Sequence, residues 1–584
     1  MRSVHRTVVG GACLAGVLVL AAGGCANPFK PTRSEYGIEP DRTRLRVIRP
    51  LDLREVPGAP PADAPVPEIT AAGVADRESP LADLAVATLS LPEARAAALV
   101  NNLDLRASLI DPSIARTSVG EEEAAFDAAF TFQGSFTDVD TPVANATVSS
   151  QAEIYNLEPG VDIPIVTGGR ATVSLPTQRV DQLNPFAVLN PSWETDLNVS
   201  LSQPLLRNAG RRATTFRLRV AALNDAAAQA QTRVRVISTL ASVNQAYWRL
   251  YQARQTLEIR QTQFESNREL LGRAERLFEA GTVPEIDVLR AQSGVASSLD
   301  GIIRSERDVL TGQRELKRLL NMDRLGVDTG TLIELTTEPD PVEFVFDTDE
   351  LLALAVENRA ELYELELRLA IDQSQVEFDR NQLKPILDLF ASYRVNGLDN
   401  DYGEAVQNAL DRPIQDDITV GVTANVPIGN RAAEARLRRS LLTRIQRVAT
   451  RDAREQAITQ EVLDAVDSLR AAWQSLLAAR QSVATAAREL SAEQRRFEVG
   501  ATTAIDVLDA TGRLAEQRAS EAAALTGYQL AQVDLALATG TLLGAERVEW
   551  VPGGLPEDGS ARGPERVPGE GREPRGGSER VSAR

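Results

Sequence analysis

From Ala432 to Val499 the chain runs for 68 residues without a glycine or a proline. At a rise of 1.5 Å per residue such a run makes about 100 Å of unbroken helix. No ordinary globular domain buries a helix of that length, so it has to pack along other helices as a coiled coil or a tube. Thr214 to Ala280 predicts a second helix of about the same length, interrupted only by Gly272. Composition agrees: 43% of residues are hydrophobic but only 4% are aromatic, a balance that suits helices packed side by side. Leu463, Val466, Leu469, Trp473, Leu476 and Leu477 recur at three-and-four spacing and predict the packed face.

The two long helices end in related phrases. Phe278 to Ala291 reads FEAGTVPEIDVLRA, and Phe497 to Ala510 reads FEVGATTAIDVLDA. Eight residues coincide without a gap at a spacing of 219 positions (500 − 281). Identity in register at that density marks an internal duplication. Each copy opens with a helical segment, Leu91 to about Glu123 and Thr348 to about Gln382, carrying the phrases Asn101-Asn102-Leu103-Asp104-Leu105 and Asn358-Arg359-Ala360-Glu361-Leu362. Each continues with alternating segments and ends in a long helix, a glycine turn and a second long helix. The predicted boundaries are 1–24 for a signal segment, 25–88 for a Pro-rich tether and 89–325 for the first repeat. A linker over 326–347, the second repeat over 348–544 and a disordered tail over 545–584 follow.

Four segments alternate apolar and small polar residues: Phe126 to Phe136, Thr195 to Pro204, Leu387 to Val395, and Asp417 to Pro427. About ten residues with one apolar and one polar face match a transmembrane barrel strand, and also a half-buried soluble sheet. A signal segment and long helices on the same chain favour the barrel. Four strands cannot close one, so several chains would share it, and three copies would give twelve strands. Arg170 to Leu175 also alternates, either extending a strand or forming a separate hairpin in the outer loop.

At the N-terminus, Arg2 and Arg6 precede an apolar run from Gly11 to Ala22, too short for a typical spanning helix. Ala21-Ala22-Gly23-Gly24-Cys25 resembles a bacterial lipobox, in which Cys25 is lipidated; the alternative is ordinary cleavage with Cys25 free. The chain's one histidine is His5, and its two cysteines are Cys13 and Cys25. Cleavage before Cys25 would therefore leave no Cys/His zinc site, no Ser-His or Cys-His centre and no internal disulfide. With 63 basic and 82 acidic residues the net charge is −19, which argues against nucleic acid as a partner.

Two repeats of helix, two strands and two long helices resemble the TolC-like outer membrane efflux protein family, here as an outer membrane factor lipoprotein. Leu201-Ser202-Gln203-Pro204-Leu205-Leu206-Arg207 and Asn425-Val426-Pro427-Ile428 carry the likeness at strand ends, as do the turns at Gly281 and Gly500. The resemblance implies a mainly α chain with a transmembrane β-barrel, a homotrimer with a twelve-stranded barrel on a long α-helical tube. It also implies an outer membrane location with lipid contact, and a periplasmic membrane-fusion adaptor and an inner-membrane pump at the tube's tip. Ala280-Gly281-Thr282 and Val499-Gly500-Ala501 would then be the adaptor-contact turns.

Asp506 and Asp509, three apart, share one helix face. The family pattern would place them in a ring at the periplasmic aperture, with threefold symmetry gathering six carboxylates; the alternative is a solvated face or a partner of the helix dipole. Asp287, which the resemblance also places at the periplasmic aperture, matches the family's closing aspartate, while Phe497 and Thr502 stand where it carries tyrosine and arginine. Those closing contacts are therefore unavailable in that form.

The expected function is an outer membrane exit duct of a tripartite efflux or type I secretion system: a passive conduit without catalytic residues or cofactor, driven by its pump. A periplasmic coiled-coil structural lipoprotein would explain the helices and the anchor but not the strands. An enzyme would need paired carboxylates or an acid-held metal, and the acids are spread along helix faces.

Overall fold

The computed structural model describes residues 79, 81, 84–142, 149–184, 186–410 and 416–545, all within a compact unit that begins at Ile69. The signal segment, Cys25, most of the tether and the tail from residue 546 lie outside the described residues.

In chain order the first repeat runs β1 (Val86–Leu89), α1 (Leu91–Asn101), α2 (Leu103–Ser108), α3 (Asp111–Glu123), β2 (Ala129–Asp140), β3 (Gln151–Pro164), β4 (Arg170–Ser174), β5 (Thr177–Gln182), β6 (Ser192–Pro204), α4 (Phe216–Glu279) and α5 (Glu285–Leu320). After β7 (Leu332–Leu335) come α6 (Thr348–Asn358), α7 (Ala360–Gln382), β8 (Ile386–Asp399), α8 (Tyr402–Leu410), β9 (Asp416–Asn425), α9 (Arg431–Glu498) and α10 (Ala504–Ala538). The two predicted long helices are α4, of 64 residues, and α9, of 68.

Each opening helical segment is broken where the sequence carries its repeated phrase. In the first, Ser90 and Glu93 form a capping box that starts α1, and Asn102 both ends α1 and caps α2 by accepting from Leu105 N–H at 2.9 Å. Asn102 also donates to the carbonyl of Leu319 at 2.9 Å, at the end of the returning helix α5. In the second, Arg359 separates α6 from α7 and donates to the carbonyls of Leu537 and Ala538, at the end of α10. Both residues fill the same post: they satisfy carbonyls that a helix C-terminus leaves without an internal partner.

The core is long and thin. Tyr247, Leu250, Leu271, Val295, Leu316 and Ile333 lie in the first repeat's core, and Ile458, Val462, Val466 and Leu362 in the second's. Each large side chain of this kind contributes about 1.5–3 kcal/mol by leaving water. The predicted face of α9 needs one correction. Leu463 and Leu477 are exposed, and Val462 and Leu476 beside them are buried. Adjacent residues on a helix point about 100° apart, so a neighbouring apolar residue is a poor guide to the face.

The predicted linker 326–347 holds β7, which pairs in parallel with β1. Strand β1 also crosses the boundary predicted at residue 88. The Tyr247 hydroxyl accepts from Thr337 N–H at 3.0 Å and donates to the Leu89 carbonyl at 3.2 Å, tying both chain segments to α4.

Among the described residues seven strands form one antiparallel sheet, in the order β2-β3-β4-β6-β8-β9, with β5 also lying between β3 and β6. Segments β4 and β5 share one place, so the sheet has six strand positions. All four predicted strands are present, as β2, β6, β8 and β9. The second repeat supplies two positions, as expected; the first supplies four. The segment Arg170 to Leu175 is one arm of an additional hairpin, but it lies within the sheet, paired with β3 and β6, and not in an outer loop. The expectation of twelve strands rested on four per chain, and the described residues hold six positions.

Candidate functional site

Two places combine the sequence motifs with unusual geometry: the ends of the helical hairpins and the two faces of the sheet.

The hairpin turns are built identically. In the first, Thr282 N–H donates to the Leu277 carbonyl at 2.9 Å and Gly281 N–H to Phe278 at 2.8 Å. In the second, Ala501 N–H donates to Arg496 at 2.8 Å and Gly500 N–H to Phe497 at 3.0 Å. This double bond pattern closes a helix with a left-handed residue, and Gly281 and Gly500 take φ of 72° and 71°. Nothing lies within 4 Å of where a Cβ would stand at either glycine. The glycine is required by the backbone angle and not by crowding. Ala280, Gly281, Thr282, Val499, Gly500 and Ala501 are all exposed.

The acids beyond the two turns differ. Asp506 begins α10 as the third residue of a capping box with Thr503. Its Oδ2 accepts from Thr503 Oγ1 at 2.6 Å, Thr502 Oγ1 at 2.7 Å and Thr503 N–H at 3.0 Å. Hydrogen bonds from Thr503 and then Thr502 hold its carboxyl down at about 2. The side chain is nonetheless exposed, and Asp509, one turn further on, is exposed on the same flank. Asp287 occupies the matching place on α5 but departs from the expected aperture position: it is buried, with Oδ1 3.3 Å from Arg290 Nη1.

Phe497, at the family's tyrosine position, is a core residue packed with Leu270, Ala504 and Val507. Thr502, at the arginine position, is spent on Asp506. Other contacts hold this end together. Arg273 on α4 pairs with Glu498 on α9 at 3.0 Å, and Arg513 on α10 with Glu489 on α9 at 3.1 Å. Leu508 sits where a side chain at Gly294 would go, its nearest carbon 2.4 Å from that Cβ position. These pairs could not be read from the sequence, because they join residues far apart in the chain.

The sheet has two unlike faces. Residues paired across its strands stand on one side: Phe130, Val161, Val173, Val199, Tyr393 and Ile418 form one such row. The next row on the opposite face is Thr131, Gly160, Ser174, Asn198, Arg394 and Asp417. Phe130, Phe132, Phe136, Ile418, Val420 and Val422 are exposed on the apolar side at 57–72%. Sequence reasoning passed over β3, where Tyr155, Leu157, Val161 and Ile163 keep the apolar period, because Glu158-Pro159-Gly160 interrupts it. Among the described residues no helix is long and apolar enough to cross a membrane, and no cluster of three or more His, Cys, Asp or Glu is placed to hold a metal ion.

Comparison with known proteins bears on this geometry. The family model "Outer membrane efflux protein" matches residues 189–322 and 351–541. The chain is 23% identical to outer membrane protein TolC of Escherichia coli (strain K12) over 359 residues, covering 60% of this chain and 70% of that protein. It is 24% identical to the TolC of Vibrio cholerae over 307 residues, 51% of this chain and 67% of that one. Among solved structures, a membrane protein from Pseudomonas aeruginosa superposes with a TM-score of 0.59 at 18% identity, over 79% of this chain and 92% of that chain. The CmeC outer membrane channel of Campylobacter jejuni superposes at 0.58 and 15% identity, over 77% and 86%.

Proposed function

The chain belongs to the outer membrane efflux protein family, and from that premise we propose that it is the exit duct of a tripartite efflux or type I secretion system. It is a passive conduit from periplasm to exterior, driven by a partner pump. The observation that carries this reading is the two-faced sheet running directly into helices of 64 and 68 residues. An apolar face fits lipid, the polar face fits a wet lumen, and the helices have the length to reach well into the periplasm.

The edges of the sheet, β2 and β9, carry unpaired backbone groups that lipid would not tolerate. Closure therefore calls for further copies of the chain, and we assign a homotrimer. The exposed turns at Gly281 and Gly500 are the surfaces offered to a periplasmic membrane-fusion adaptor, with the inner-membrane pump beyond it. Cys25, when lipidated, anchors the chain to the outer membrane.

At the tip, Asp506 and Asp509 line the aperture. Six carboxylates in a threefold ring concentrate cations and repel anions. Asp287 braces the wall behind them through Arg290. Both tasks of Asp506, capping α10 and lining the aperture, are compatible. Its three hydrogen bonds fall on Oδ2, and Oδ1 receives none from the described residues.

Purification of the full chain in detergent tests the assembly. A β-rich trimer whose mobility shifts on heating is the expected result. A monomer that stays soluble without detergent would overturn the duct in favour of a structural lipoprotein.

A further inference from the structure

The first repeat exceeds the second by one hairpin. From Asn102 to Gly281 is 179 positions, whereas from the equivalent Arg359 to Gly500 is 141, a surplus of 38. Strands β3 to β5 fall in that interval, over residues 151–182.

Resting on the duct reading above, we propose that this hairpin crosses the membrane as part of the barrel wall, so that three copies close eighteen strands and the exit passes bulky cargo. The pairing is complete on both sides. Strand β3 pairs with all twelve residues of β2, and β4 and β5 pair with both β3 and β6. The hairpin also spans the sheet's full height. Its β3–β4 turn lies at the helix end, where Gly210 N–H donates to the Thr167 carbonyl at 2.9 Å and Thr167 Oγ1 to Gln203 Oε1 at 2.7 Å. There Gly168, at φ 96°, comes so close that a Cβ would stand 2.4 Å from the Asn208 carbonyl oxygen. A hairpin projecting outside the membrane would have no strand returning to the helices.

The register continues through the hairpin without a slip. Over the half nearer the helices Leu157, Val161, Ile163 and Val173 stand on the apolar side, and Asn156, Glu158, Asp162 and Thr172 on the polar side; beyond Leu157 the apolar side gives way to Thr177, Arg179, Asp181 and Glu153 around Tyr155. A one-residue error of register would invert them all. At the far end Arg179 lies 5.3 Å from the Tyr155 ring and 5.9 Å from that of Trp193, as an interfacial aromatic belt with a cation would. The row from Phe130 to Ile418 also climbs. It starts one residue from the helix end of β2 at Ala129 and finishes seven from the helix end of β9 at Asn425. Strands in a closed barrel are staggered in this way.

Strands about 4.8 Å apart and tilted about 40° give a backbone diameter of about 24 Å for twelve strands and about 36 Å for eighteen. Allowing about 5 Å of side chain on each wall leaves about 26 Å clear. That is room for two helices side by side, each about 10–12 Å across. The cargo class is thus a bulky solute or a polypeptide passing as a loop.

Spin labels on the full chain in lipid vesicles test this, each read against the unsubstituted chain. Reference sites are Val420→Cys and Thr419→Cys on β9; hairpin sites are Val161→Cys, Val173→Cys, Asp162→Cys and Thr172→Cys. Relaxation by oxygen should exceed that by a water-soluble nickel chelate at Val420, Val161 and Val173, and the order should reverse at the other three. Val420 faces outward, so its label stands about 5 Å outside the backbone; distances between the three copies should centre near about 40 Å, where twelve strands would give about 29 Å. If β9 alternates while the hairpin sites are all water-accessible, or if the short distance appears, the hairpin lies outside the wall and the inference fails. If Val420 itself meets no lipid, the duct reading falls and takes this inference with it.

Discussion

The two repeats reach the same turn and then part. Asp287 and Asp506 are equivalent, and so are the residues three further on, Arg290 and Asp509. Before the first aspartate stand Val283 and Pro284, which offer no side-chain donor; before the second stand Thr502 and Thr503, which offer two. The first carboxylate therefore turns inward to its arginine, and the second is capped at the surface beside another acid. Three local differences convert a buried brace into an exposed acid pair on one backbone frame. Duplication supplied the frame, and divergence divided the labour.

The largest effect should come from Arg359. In the second repeat it joins Glu361 and Glu461 to the end of α10. Arg359→Ala should cost about 3 kcal/mol, below the usual upper range because both acids are partly exposed. Asn102→Ala, its counterpart, should cost about 2 kcal/mol, a cap plus a buried carbonyl. Thermal inactivation of the purified protein reads both, and the reverse order would break the equivalence of the two posts.

Next is the brace. Arg290→Ala strands Asp287 and should destabilise by about 1–3 kcal/mol, since the arginine itself is partly exposed. Asp509→Arg should leave stability near that of the parent and abolish cation preference. Equal destabilisation by both would mean that the two flanks do not differ as described.

The turns should respond alike in folding and unlike neighbouring surface sites in export. Gly500→Val and Gly281→Val each force a branched residue into a left-handed angle, at about 1–2 kcal/mol. Assembly should survive, and pump-dependent export should fall. Normal export from both variants would show that the turns do not engage the adaptor.

The smallest effect concerns pH. The folded carboxyl of Asp506 titrates at about 2, below its unfolded value. Its stabilising contribution is present above the unfolded value and is lost as pH falls through about 2. Acidification from neutrality to about pH 4 should therefore leave Asp506 charged, and the current that survives Asp509→Asn should stay cation-selective there. Loss of that preference on mild acidification would show that Asp506 does not carry it.

Much of this was legible in the chain because it is local. Absence of Gly and Pro fixed the long helices, and Gly281 and Gly500 fixed their ends. The repeated phrase located Asp506 and Asp509. What escaped was either masked or remote. Strand β3 is interrupted in sequence by Glu158-Pro159-Gly160 yet pairs throughout. The split of β4 from β5 around Leu175-Pro176 hid a whole strand position. The inward turn of Asp287 depends on packing, and the contacts of Arg273 and Arg513 link residues 225 and 24 positions apart, which no spacing rule connects.

Single-channel recording of the purified mature protein in a planar bilayer, with and without divalent cations, tests the central claim most directly. The expected result is a cation-selective pore that divalents block, with block and selectivity both weakened by joint Asp506→Asn and Asp509→Asn. A pore whose selectivity and block ignore that pair, or a protein that never conducts even after Asp287→Asn loosens the tip, would contradict it.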